Sequence, residues 1–115
     1  MEIRVHARHV EVPPEVKVRV EQKLAQMARL LPPDATANVE FSAERNPRIA
    51  RGQIAEITIV TRGRVLRTRV GEAAFAEAVT HAIRNLRRDV TDWHNRRRTH
   101  PHRPSKAGES LFREA

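Results

Sequence analysis

The spacing of apolar residues switches along this chain between two and three-to-four, and that alternation leaves few folds open. Across residues 2–8, Ile3, Val5 and Ala7 take one side and Arg4, His6 and Arg8 the other, as in a half-buried strand. Val12-Pro13-Pro14 breaks the pattern. Proline suits a helix's first turn, where its missing N–H has no partner to lose, and Glu15 places a favourable charge there. From that point Val16, Val20, Leu24, Met27 and Leu31 recur at three and four, predicting an amphipathic helix that Pro32-Pro33-Asp34 ends. Residues 38–44 alternate again, with Val39, Phe41 and Ala43 on one face. A loop follows over residues 45–52, rich in turn formers and carrying Arg45, Arg48 and Arg51. Residues 54–61 and 64–70 form two further strands about a short Arg62-Gly63 turn; Ile57 and Ile59 point inward on the first, and Leu66, Thr68 and Val70 share a face on the second. The last stripe, Phe75, Val79, Ile83, Leu86, Val90 and Trp93, runs to about residue 95 as a second helix, with Ala78 and Ala82 beside it.

The order is β-α-β-β-β-α. It predicts an α+β fold in which two helices pack on one face of a four-stranded mixed sheet, the later strands forming an antiparallel meander. The outer sheet face is left to Arg4, His6, Arg8, Glu40, Arg67 and Arg69. With 115 residues there is room for one domain of this kind, over residues 1–98, and a flexible basic tail over 99–115.

Charge narrows the function. The formal net charge is +8, unevenly placed: residues 1–57 hold nine basic and eight acidic side chains, residues 58–115 thirteen and six. Arg84, Arg87, Arg88, Arg96, Arg97, Arg98, Arg103 and Lys106 face only Asp89 and Asp92 in their stretch. Seven of these eight cations are arginine, whose planar fork suits phosphate better than a lysine point charge. A polyanionic partner is the natural expectation. Aromatics make up only 3% of the chain (Phe41, Phe75, Trp93 and Phe112), which argues against recognition of single strands by base stacking.

Chemistry is scarce. The absence of cysteine removes disulfides, thiolate zinc sites and cysteine nucleophiles, and fits a reducing cytoplasm. Ser42, Ser105 and Ser110 sit in no nucleophile context, and the four glycines form neither a Walker loop nor a dinucleotide fingerprint. His6 and His9, read as lying on one strand, point to opposite faces; His94, His100 and His102 lack companions at a recognised ligand spacing. No positioned nucleophile or base emerges, so no enzyme, metal or cofactor is expected. No apolar run approaches the roughly 20 residues of a membrane span. The candidate RNA-binding set is Lys23 and Arg29 on the first helix, Arg84, Arg87, Arg88, Arg96, Arg97 and Arg98 on the second, and Arg45, Arg48 and Arg51 as a second basic point.

Short stretches resemble a known family. Arg8-His9-Val10-Glu11-Val12 looks like the "RHVEV" opening of the ribosome hibernation promoting factors, also called ribosome-associated inhibitors or protein Y. Val20-Glu21-Gln22-Lys23-Leu24 is similar to their "VEEKL" helix, and Val39-Glu40-Phe41 with Glu44-Arg45-Asn46 to their second strand and its loop. Ala82-Ile83-Arg84-Asn85-Leu86-Arg87-Arg88 resembles their second-helix segment, commonly "AVDKLERQL", and the likeness covers about residues 1–98. It implies a cytoplasmic factor that binds the small ribosomal subunit and its rRNA in the mRNA and tRNA channel and inhibits translation, with no small-molecule substrate. Lys23, Arg29, Arg88 and Arg96 fall where the family pattern is basic; Asn85 and Asp92 stand where it often carries a cation, and Ala76 and Thr80 replace its usual Tyr and Asp. A general double-stranded RNA-binding module and a protein-interaction domain recruiting a partner by a strand edge are the competing readings.

Overall fold

A computed structural model describes residues 1–46 and 48–99. The elements run β1 (Glu2–Ala7), α1 (Pro14–Met27), a 3₁₀ turn (Ala28–Leu30), β2 (Thr36–Ala43), β3 (Gln53–Thr61), β4 (Arg64–Glu72) and α2 (Phe75–Thr99). The strands lie in the order β1-β2-β3-β4. β1 pairs parallel with β2, and the other neighbours are antiparallel. The α+β reading, the mixed four-stranded sheet and the meander all hold.

Both helices cover one face. α1 lies against β1, α2 against β3 and β4, and the helices pack on each other. Val16, Val20, Leu24 and Met27 from α1 meet Phe75, Val79, Leu86, Val90 and Trp93 from α2 in a single core. The sheet supplies Ala37, Val39 and Phe41 from β2, Ala55, Ile57 and Ile59 from β3, and Leu66 from β4. The register places Phe41 beside Ala55, Val39 beside Ile57 and Ile59 beside Leu66, so the inward positions of three strands coincide. The rings of Phe41 and Phe75 meet edge to face with centroids 5.5 Å apart, fastening the start of α2 to β2.

Local chemistry explains the boundaries. Pro14 opens α1 with no side-chain cap, and Glu15 sits in its first turn. The Phe75 N–H at the start of α2 donates to Gln53 Oε1 at 2.8 Å, a cap supplied by a strand rather than by the helix's own leader. Within the β3–β4 turn only Gly63 is left-handed, with φ of 73°. A type I′ turn needs positive φ at both loop positions, so this hairpin closes another way.

Four expectations need correction. β1 ends at Ala7, so His9 is not on a strand; it turns the chain with a left-handed φ of 57°, which histidine tolerates better than most residues. Ala43 is exposed, while Ala37, two residues before the start expected for β2's inward face, is fully buried. The helices cover the beginning of β2 and leave its far end bare. Arg29 lies in the 3₁₀ turn after α1, not in the α-helix. α2 continues past residue 95 to Thr99. Thr99, the first residue of the flexible tail expected over 99–115, thus belongs to α2, and the rest of that tail, with His100, His102, Arg103 and Lys106, lies outside the described residues.

Candidate nucleic-acid interface

α2 has two faces with different work. Ala78, Val79, Ala82, Leu86 and Val90 are fully buried. Arg84, Arg87 and Arg88 are exposed on the other side. A helix turn is 3.6 residues, so burying 79, 82, 86 and 90 obliges 84, 87 and 88 to face solvent. The Arg88 Nη2 donates to Asn85 Oδ1 at 3.2 Å, one turn back, which steadies that guanidinium without neutralising it. Asp89 and Asp92 lie on the half-buried flank. Burial pushes the Asp89 carboxyl above its ordinary range; nearby Arg88 pulls it down, and Asp92 adds to the rise.

Topology fixes where the other cations fall. β1 and β2 run the same way, as do β2 and β4, so the helices that return along the sheet share one direction. The β2–β3 loop sits at the end where α2 begins, because Gln53 pairs with Glu72. The β3–β4 turn lies at the other end, where Thr61 pairs with Arg64. At about 1.5 Å per residue, Arg84 and Arg88 lie about 14 and 20 Å along α2, and Arg96 about 32 Å along it. A nine-residue strand covers only about 27 Å, so the last turns of α2 extend past the sheet.

The expected set therefore divides. Arg84, Arg87 and Arg88 form one exposed row on α2. Lys23 is half-buried beside the fully buried Leu24, and Arg29 is exposed on the 3₁₀ turn, which itself packs on α2. Arg96 is half-buried, and Arg97 and Arg98 continue the helix backbone. Arg45, Arg48 and Arg51 are exposed at the opposite end from Arg96, so they do not join one patch with it. Arg62 and Arg64 at the β3–β4 turn were missed. The Arg62 N–H donates to Asp34 Oδ2 at 3.1 Å, joining that turn to the connection behind Arg29. The signal was the pairing of two hairpin strands, which carries residues 62 and 64 to the end where α2 projects.

The loop at the other end is fastened. Glu44 N–H donates to the Gly52 carbonyl at 2.7 Å, closing its neck, and Arg48 N–H donates to Asn46 Oδ1 at 3.0 Å. A Cβ on Gly71 would stand 2.6 Å from the Arg51 carbonyl oxygen, so β4 carries no side chain where the loop crosses it. The Glu72 carboxylate reaches Arg51 Nε at 3.7 Å through Oε1 and His81 Nδ1 at 3.0 Å through Oε2.

The outer sheet face is a poorer polyanion surface. One row runs Arg4, Asn38, Thr58, Arg67, and Arg67 Nε donates to Thr58 Oγ1 at 3.4 Å. The next row runs His6, Glu40, Glu56, Arg69, with two carboxylates at its centre. A phosphate approaching there meets carboxylates as well as cations. Nor do the described residues offer stacking platforms: Phe41, Phe75 and Trp93 are all buried in the core. Among the described residues no group of His, Asp and Glu could hold a metal ion.

Comparison with known proteins agrees with this architecture. Residues 3–98 match the family pattern described as sigma 54 modulation protein / S30EA ribosomal protein. The chain is 33% identical over 100 residues to a ribosome hibernation promotion factor of Mycobacterium tuberculosis, covering 86% of this chain and 46% of that protein. It thus spans less than half the length of that relative. The crystal structure of the Thermus thermophilus Protein Y N-terminal domain superposes with a TM-score of 0.65 at 26% identity, over 81% of this chain and 99% of that one. A ribosomal subunit interface protein from Coxiella burnetii shares the fold at 13% identity, with the same TM-score over 83% of this chain and 99% of that one.

Proposed function

The chain belongs to the sigma 54 modulation protein / S30EA ribosomal protein family of non-enzymatic, ribosome-associated hibernation factors, and from that membership we propose that it binds the small ribosomal subunit through rRNA, occupies the mRNA and tRNA channel, and inhibits translation. No bond is made or broken. The mechanism is steric competition held by electrostatics, and its setting is the cytoplasm. No helix of the described residues is long and apolar enough to cross a membrane.

The observation that carries this reading is the exposed Arg84-Arg87-Arg88 row on a helix whose opposite face is fixed in the core. A rigid helix holds three guanidinium groups at set spacing, which suits the phosphate lining of folded RNA. The burial of Phe41, Phe75 and Trp93 supports recognition by shape and charge. Arg96 follows further along α2, and Lys23 and Arg29 come from α1 and the 3₁₀ turn, which both pack on α2, while Arg45, Arg48 and Arg51 offer a second contact at the far end.

Sedimentation with purified small subunits tests it. If about six phosphates are engaged, log K falls against log salt with a slope of roughly −4 to −5. Protein that stays free of small subunits at low salt sinks the proposal. A generic RNA duplex added in excess leaves the complex intact; displacement by that duplex favours a general double-stranded RNA-binding module instead.

A further inference from the structure

The arginine loop carries cations toward RNA, yet it is held in place by an acid. Glu72 is half-buried at the end of β4, with only 12% of its side chain exposed. One oxygen faces Arg51 and the other His81 of α2, so a single carboxylate joins the loop, the sheet and the helix. Arg51 keeps 77% of its side chain exposed, so its guanidinium stays open to solvent beside the carboxylate. Gly71 lets the loop lie close against β4 independently of charge, since any side chain there would displace the Arg51 backbone.

We propose that Glu72 is a positioning residue for polyanion binding, aided by Gly71: it holds the Arg45–Arg51 loop in register with the α2 arginine row, so that one rigid surface meets phosphate at two separated points. This rests on the ribosome-binding reading for its partner, but the anchoring itself belongs to the free protein. The sign of the effect separates positioning from bulk charge. A carboxylate near a polyanion repels it, so removing an idle Glu72 strengthens binding. Removing a carboxylate that orients Arg51 weakens binding, since an unfixed side chain must be ordered again on contact.

Two variants of the full chain decide the matter. Glu72→Gln removes charge with little change in shape, and Gly71→Ala displaces the loop with no change in charge. In the free protein, both speed hydrogen exchange at the Glu44 amide, whose acceptor is the Gly52 carbonyl. In small-subunit binding, both weaken affinity by about two- to fivefold, the range of an exposed ion pair. On a background with Arg45, Arg48 and Arg51 all changed to Gln, Gly71→Ala becomes silent in binding, and Glu72→Gln no longer weakens it but strengthens it slightly, as removal of an idle carboxylate does. Glu72→Gln binding as tightly as wild type or tighter overturns the proposal. So does the same loss on the loop-neutralised background, or unchanged exchange at Glu44. Wild-type protein that ignores small subunits overturns the functional reading and the binding role together, while the exchange result still decides the anchoring.

Discussion

α1 and α2 rest on the same sheet and feed the same core, yet they divide their labour differently. α1 is 14 residues long and buries Val16, Val20, Leu24 and Met27. Its solvent side mixes Glu15, Arg19, Glu21, Gln22 and Gln26, an ordinary solvated helix surface. α2 is 25 residues long, outruns the sheet, and turns Arg84, Arg87 and Arg88 outward with no exposed carboxylate among them. An apolar stripe alone therefore does not separate the two helices; the charge on the other face does. Both helices carry the core, α1 with four buried side chains and α2 with eight, and the proposed polyanion contact is weighted toward α2.

That both helices carry the core is the claim with the largest expected effect. Leu24 on α1 and Leu86 on α2 are both fully buried. Changing either to Ala removes buried methyl groups and leaves a cavity, at a cost of about 2–5 kcal/mol. Urea unfolding should show two losses of similar size. If Leu86→Ala is nearly silent while Leu24→Ala is severe, α2 is not the core element the packing makes it.

Unequal contact comes next. Reversing Arg84, Arg87 and Arg88 to Glu should lower small-subunit affinity by about a hundredfold or more, given that phosphate contacts dominate such binding. Lys17→Glu with Arg19→Glu on α1 should cost far less. Melting temperature and circular dichroism should stay near wild type in both, since Arg19, Arg84, Arg87 and Arg88 are exposed and Lys17 is only half-buried. Equal losses from the two helices would break the comparison.

Much of this division was legible in the sequence, because period alone assigns faces. Spacing of three and four put Val79, Leu86 and Val90 inside and Arg84 and Arg88 outside before any contact was known. What escaped depends on registers that no local pattern encodes. Gly71 reads as a punctuation mark before α2 until the Arg51 carbonyl is seen to cross it. Glu72 reads as an acid near a helix start until β3–β4 pairing and the return of α2 bring Arg51 and His81 to its two oxygens. Arg62 reads as a turn residue and Arg64 as the start of a strand until strand pairing carries them to the end where α2 projects. His9 failed for a local reason: alternation continues past Ala7, but the backbone turns left-handed there.

The smallest effect lies within α2 itself. Asp89 sits on the flank between the buried stripe and the arginine row, and burial is the main cause of its raised pKa, with Asp92 one turn on adding to it. A carboxyl whose pKa is higher in the folded chain than in the unfolded one favours folding most when protonated. Its contribution is complete below the ordinary value of 3.8 and is lost as pH rises through the folded value. At pH 7 the wild type therefore carries a small penalty that Asp89→Asn removes. The variant should melt about 1–2 °C higher at neutral pH, with the gain fading as pH falls toward and below the ordinary carboxylate range. It should also bind small subunits slightly more tightly, since one negative charge leaves the arginine helix. A stability gain that grows on acidification reverses the sign and shows that Arg88, which pulls the Asp89 carboxyl downward, outweighs burial on this flank.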